Sequence, residues 1–314
     1  TKGSVQGTAY ILFENDSYKY NDNPITTSLE DVKSSLEQGK PSELELSLLP
    51  NNSEAVDNLD QFLTEYNSKK FGTFHKLKIT NSEENSTSSA PINPNNMIVI
   101  TQLIQLTELT FEGLTIGFYE DAPLSSLKAL RKLSLNRISF LGENVGRLQS
   151  LILKEDEEYE DLKFKQFAQD LTNLPHLEVL DLSNNEFFPH PTKGKGKGKK
   201  ITKSKYNDWC VSHVRECAGL LASNFRGRIL KMKENNLGPI FINAFADGLE
   251  NTSPTEIDFS ENSFTAHEAA DFILNIKEKV RRKEINIILF SNNLKEDDLK
   301  EILLARLLGN VNIS

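Results

Sequence analysis

The chain is short of cysteine, methionine and tryptophan: two, two and one in 314 residues. The two cysteines, Cys210 and Cys217, lie in one segment of helical character. Two helical turns set their Cα atoms roughly 10 Å apart, and a disulfide closes only below about 7 Å. They are expected as free thiols, which excludes a disulfide-stapled scaffold and favours a reducing compartment such as a cytosol. No apolar run approaches the roughly 18 residues of a membrane helix. Thr1 to Gly7 is polar and holds no signal-peptide core; since the chain opens on Thr rather than Met, this says nothing of a segment removed before it. An excess of basic charge is missing too. The formal net charge is −9, so phosphate would repel the chain as a whole, and nucleic acid is not an expected partner.

Motifs that carry chemistry are also lacking. There is no Gly-x-Ser-x-Gly, no His-Glu-x-x-His and no phosphate-binding Gly-x-x-x-x-Gly-Lys-Ser/Thr. Cys210, His213 and Cys217 share a helix face, but one helix rarely closes a tetrahedral metal site and no fourth ligand stands nearby. Val214, Leu220 and Leu221 lie on the same face, so this reads as a buried stripe. Trp209 is read as a core residue on that helix. No catalytic residue, cofactor or metal ligand is therefore expected, and the chain is not read as an enzyme.

A repeat is what the sequence does have. Its clearest unit is Leu177-Glu178-Val179-Leu180-Asp181-Leu182-Ser183-Asn184-Asn185-Glu186-Phe187. Three later segments share its centre: Leu230 and Met232 with Asn235, Ile257 and Phe259 with Asn262, and Ile288 and Phe290 with Asn293. In each, Asn falls three residues after the second apolar position. Looser copies lie upstream, at Leu44/Leu46, Leu77/Ile79, Leu109/Phe111, Leu133/Leu135 and Leu151/Leu153; Ile138 fills the Asn slot after Leu135. An apolar-x-apolar stretch is a short strand with alternate side chains inward. Asn suits the turn that follows, where its amide can bond stranded backbone groups. Helical spacing marks Asn58–Asn67, Leu162–Leu174, Ala266–Val280 and Asp297–Leu308.

This β-turn-α unit resembles the leucine-rich repeat, in the longer form similar to ribonuclease inhibitor. The resemblance spans roughly residues 42–313. It implies an α/β chain coiled into a curved solenoid, with a parallel β-sheet on the concave face and helices on the convex face. About nine parallel strands are expected. A tenth is expected at 310–314, where Asn and apolar residues alternate after Gly309; its open edge could pair with a second copy.

Three stretches break the rhythm. Residues 1–41 read as an N-terminal cap: a hairpin of Tyr10–Phe13 with Tyr18–Tyr20, then a helix near Ser28–Gln38. Asn81–Asn96 is polar and reads as a loop. The 190–205 segment is a Lys/Gly-rich insertion, read as a flexible loop dispensable for folding. The remainder, 42–314, is the solenoid. The acidic run Glu155–Asp161 reads as a solvated turn.

If the apolar residues of each strand enter the core, the residues between them face the concave surface. This marks Glu108, Thr110, Glu112, Lys132, Ser134, Asn136, Asp181, Ser183, Lys231, Lys233, Glu256, Asp258 and Ser260 as candidate partner-binding residues. Glu43, Glu45, Ser47, Lys76, Lys78 and Thr80 extend the face upstream, and Leu289 and Ser291 downstream. The resemblance implies a protein partner of unspecified identity, bound without catalysis. Two alternatives share the fold: a scaffold that activates a GTPase, and a substrate-recognition module of a ubiquitin ligase. The irregular repeat lengths and Asn/Lys-rich inserts also resemble secreted bacterial effectors that act in a host cytosol.

Overall fold

The computed structural model describes residues 8–13, 18–20, 43–48, 58–59, 61–64, 74–81, 90–92, 94–116, 123–138, 162–185, 203–249, 252, 254–279, 285–289, 292 and 311–313. The chain divides into two compact units. One is Thr1–Gly142 with Asn173–Asp181, the other Glu143–Thr172 with Leu182–Ser314.

The first unit opens with β1 (Thr8–Phe13) and β2 (Tyr18–Tyr20), an antiparallel hairpin as expected for 1–41. β1 also lies parallel to β3 (Glu43–Leu48). The ladder continues, all parallel, through β4 (Lys76–Asn81), β6 (Glu108–Glu112), β8 (Lys132–Asn136) and β9 (Val179–Asp181). A small parallel pair, β5 (Ala90–Pro91) with β7 (Leu114–Thr115), stands apart. The expected markers fall into one register, Leu46 beside Ile79, Ile79 beside Phe111 and Phe111 beside Leu135. All four side chains are fully buried. Each such residue contributes about 1.5–3 kcal/mol by leaving water, and only the period-2 pleat brings them to one side.

Two expectations for this part are corrected. The strand expected at Leu151–Leu153 has no place between β8 and β9, which pair directly with Leu133 beside Leu180; residues 151–153 themselves lie outside the described residues. The 81–96 stretch is not loop throughout. It contains the end of β4, the strand β5 and the first turn of helix α1 (Pro94–Thr101). Pro94 is a helix-start signal, because its missing N–H would be unpaired there anyway.

The second unit carries α2 (Leu162–Thr172), α3 (Lys203–Asn224), α4 (Pro239–Gly248) and α5 (Ala266–Lys279). Its strands are β10 (Ile229–Lys231), β11 (Glu256–Asp258), β12 (Ile285–Ile288) and β13 (Val311–Ile313), all parallel. β13 is the strand expected near the end of the chain, paired to β12 with Val311 beside Ile285. Successive helices pack on one another, α2 on α3, α3 on α4 and α4 on α5. Phe259, just after β11, joins layers: its ring meets Phe245 of α4 at 5.6 Å and Phe272 of α5 at 5.5 Å, both edge to face. Thr265 and Glu268 cap α5 reciprocally, backbone N–H of each donating to the other's side chain. α3 begins at Lys203, so the C-terminal end of the 190–205 insertion is helix and not loop; residues 190–202 lie outside the described residues, as do 21–42 and the acidic run 155–161.

The register of the last repeat differs from the sequence reading. Ile287, not Ile288, stands beside Ile257. Ile285, Ile287 and Leu289 are buried, and Ile288 is half-buried on the other side. The Asn of this repeat is therefore Asn292 rather than Asn293.

That Asn completes a ladder. Asn262 accepts from the N–H groups of Asn235 and Leu237 at 3.0 and 3.1 Å. Its Nδ2 donates to the carbonyls of Met232, Phe259 and Ser260 at 2.7 to 3.0 Å. Asn292 repeats the pattern toward Asn262, Phe264, Phe259 and Leu289. Asn235 accepts from the Asn185 N–H at 2.7 Å. Apolar residues leave these turn groups with no other partner, so one amide per repeat satisfies two neighbouring turns.

Candidate functional site

The strand residues that alternate with the core form rows in register. In the first unit one row runs Glu43, Lys76, Glu108, Lys132 and Val179. The second runs Glu45, Lys78, Thr110, Ser134 and Asp181, and the third Ser47, Thr80, Glu112 and Asn136. Opposite charges alternate along the first row, and adjacent parallel strands put such residues about 4.8 Å apart. Lys76 Nζ sits 2.8 Å from Glu43 and 3.2 Å from Glu108. The two carboxylates hold the Lys76 ammonium above its usual range, chiefly by accepting its hydrogen bonds. Lys78 pairs with Glu45 at 2.9 Å.

The second unit has shorter rows: Ile229, Glu256 and Asn286, and beside it Lys231, Asp258 and Ile288. Asn286 Nδ2 donates to Glu256 at 3.4 Å. The Asp258 carboxylate turns along its own strand and accepts from Ser260, from Oγ at 2.6 Å and from N–H at 2.9 Å.

Most candidate residues stand in these rows and are half-buried. Six are buried. Ser47, Thr80, Ser134, Ser183 and Ser260 are at 3%, 8%, 3%, 7% and 5% exposure. Leu289 is buried because of the one-residue shift, and Ile288 takes its row position. Ser291 lies outside the described residues.

Two charged residues that pair with candidates were not themselves among them. Arg137 reaches Glu112 at 3.1 Å, and Glu261 reaches Lys233 at 3.0 Å. Glu261 raises the Lys233 ammonium as Glu43 and Glu108 raise Lys76. Arg137 and Glu261 occupy the same repeat position, two residues past the strand's last core residue, as do Gly113, Asn184 and Glu234. All five have positive φ, between 50° and 70°. At Gly113 a Cβ would also lie 3.2 Å from the Asn81 Cβ, tighter than an ordinary contact. Elsewhere only Asn has intrinsic tolerance for that region, so Arg137, Glu234 and Glu261 give no sequence signal.

The cysteine face is partly as expected. Cys217 is buried with Ala218, Leu221 and Ala222, while His213, Val214 and Leu220 are only half-buried. The Cys217 Sγ lies 3.6 and 3.9 Å from the two His213 ring nitrogens. The side chains of Trp209 and Cys210 lie outside those described. Among the described residues, no group of three or more His, Cys, Asp or Glu residues could hold a metal ion. No described helix is long and apolar enough to cross a membrane.

Neither a protein-family model nor a curated protein matches the chain.

Proposed function

We propose that the chain is a non-enzymatic protein-interaction module of the leucine-rich-repeat kind, similar to ribonuclease inhibitor. On this reading the polar strand rows are the concave face, and a partner protein docks there. The observation that carries it is the register of those rows. Glu43, Lys76, Glu108 and Lys132 stand on four successive parallel strands, each backed by fully or nearly fully buried apolar neighbours. A lattice of that sort fixes its functional groups before a partner arrives, which lowers the ordering cost of binding. Short serines and threonines between the long charged residues give the face relief.

Purified chain used as bait, with captured proteins identified by mass spectrometry, supplies the partner. Binding of that partner is then measured to chains reversed in charge at Asp181, Lys231 or Asp258. These variants are expected to keep the wild-type circular dichroism spectrum and to bind more weakly. If they bind unchanged while substitutions on the helices abolish binding, the docking face is elsewhere.

A further inference from the structure

The first row alternates in charge from strand to strand. Glu43, Lys76, Glu108 and Lys132 stand in register on β3, β4, β6 and β8, all within the first unit. Glu43, Lys76 and Glu108 keep between 36% and 44% of their side chains exposed, and Lys132 is half-buried. Two acidic and two basic groups leave this row without net charge, so a partner of one sign gains at two positions and loses at two. A partner that suits every position must carry the reversed alternation at the strand spacing of about 4.8 Å. The row itself has that property. Let a second copy be turned face to face about an axis that runs along the strands, midway between β4 and β6. Glu43 of each copy then falls opposite Lys132 of the other, and Lys76 opposite Glu108.

That axis leaves every residue at its own height along the strands, so the neighbouring rows must fit it as well. In the second row Glu45 falls opposite Ser134, Lys78 opposite Thr110, and Asp181 opposite the Tyr10 position of β1. In the third row Glu112 falls opposite Thr80. No like charges meet in the three rows. An axis laid along the first row instead would set Glu43 on Glu43 and Lys76 on Lys76, with like charges at every position.

Resting on the docking face proposed above, we infer that the first unit's part of it receives a second copy of this chain, in a symmetric dimer about the axis along the strands. A self-complementary patch meeting itself is the arrangement that a twofold axis requires. Among the described residues Lys132 has no ion-pair partner in its own chain, and the dimer brings it Glu43 of the other copy. Lys76 holds two carboxylates with its three N–H donors, which leaves one donor for Glu108 of the other copy. The net charge of −9 opposes approach at long range, but salt screens that repulsion beyond about 8 Å, whereas the facing pairs act at contact. Three rows on four strands make a patch smaller than the roughly 20–30 residues a side of a standard interface. The dimer is therefore weak and reversible, to be sought between about 10 µM and 1 mM.

Sedimentation velocity of the full chain across that range is expected to show a monomer–dimer equilibrium. Glu43→Lys and Lys132→Glu should each weaken it by about fivefold or more, because a symmetric dimer repeats the new like-charge pair twice. Circular dichroism checks that both variants keep their fold. Mixing the two variants, one of them fluorescently labelled, is the decisive measurement. In the mixed dimer the introduced lysine of one chain faces the introduced glutamate of the other, and the remaining Lys132 faces the remaining Glu43. Affinity should then return to within about threefold of the unmodified chain. A monomer up to about 1 mM, a dimer indifferent to both substitutions, or a weakened dimer that mixing fails to restore would overturn the inference. A dimer lost on deleting 310–314 would also overturn it, since that dimer pairs through the edge of β13. The charge-reversal measurement with the captured partner decides the docking face separately: a monomer that still binds another protein there leaves that face standing.

Discussion

Glu261 reaches across the sheet to Lys233 at 3.0 Å, and it does so from a left-handed backbone with φ 57°. Arg137 reaches Glu112 from the equivalent place, with φ 53°. The left-handed turn swings these long side chains back toward the preceding strand. It costs a residue with a Cβ about 1–2 kcal/mol, and an exposed ion pair returns little. Glu261→Gly is therefore expected to stabilise the chain by about 0.5–1 kcal/mol, after allowing for glycine's greater freedom when unfolded. Urea denaturation measures this. A clear loss of stability would show that the Lys233 pair outweighs the backbone.

Lys76 gives a pH dependence with a definite sign. Its two carboxylate partners raise its folded value above the ordinary 10.5. The stabilisation is thus fully present below 10.5 and is lost as pH rises through the raised value. Lys76→Met should lower stability by at most about 1 kcal/mol near neutrality, since the lysine is 44% exposed. The gap between the two proteins should then close in thermal scans above pH 10.5. A gap that widens at high pH would contradict the pairing.

Two glycines of adjacent helices should respond oppositely to alanine. A Cβ on Gly248 of α4 would lie 2.7 Å from both the Ala222 Cβ and the Gly219 carbonyl of α3. The helices must move apart to admit it, at a cost of about 1–3 kcal/mol. A Cβ on Gly219 meets nothing within 4 Å, so Gly219→Ala should be neutral or gain up to about 1 kcal/mol of helix propensity. Denaturation midpoints of the two variants separate these outcomes, and equal destabilisation by both would refute the close approach.

The strand ladder was legible because it rests on one repeated need, an apolar pair on a period-2 strand. Leu46, Ile79, Phe111 and Leu135 meet that need and stand in register. The Asn turn was legible from Asn185 onward for the same reason. Upstream, Leu114 and Ile138 fill that position and are buried there, so the repeat survives with a different turn chemistry. Helix α4 was missed since Pro-Ile-Phe-Ile-Asn-Ala-Phe-Ala is apolar on too many sides to show a stripe, although Gly238-Pro239 marks its start. The buried serines could not be read, because burial on these rows depends on neighbours from other strands. Pairing across strands was equally hidden: that Glu108 serves Lys76 and not Lys132 is decided by geometry, not by spacing in the chain.

The last repeat allowed two readings, and one experiment distinguishes them. Asn292 and Asn293 are adjacent, and the run Ile287-Ile288-Leu289-Phe290 is apolar at both parities, so the sequence accepts either register. The ladder selects Asn292, whose amide bonds the Phe259 and Leu289 carbonyls at 3.0 and 2.9 Å. A shift by one residue exchanges every inward and outward side chain. With Leu289 2% exposed, Leu289→Ala should cost about 2–5 kcal/mol through lost burial and the cavity left behind. Ile288→Ala, on the half-exposed side, should cost well under half of that. Were Asn293 the turn residue, Ile288 would be the buried one and the order would invert. Chemical denaturation of the two variants, read against Asn292→Ala and Asn293→Ala, fixes the register: Asn292→Ala should strand the Asn262 and Phe264 N–H groups, and Asn293→Ala should do far less.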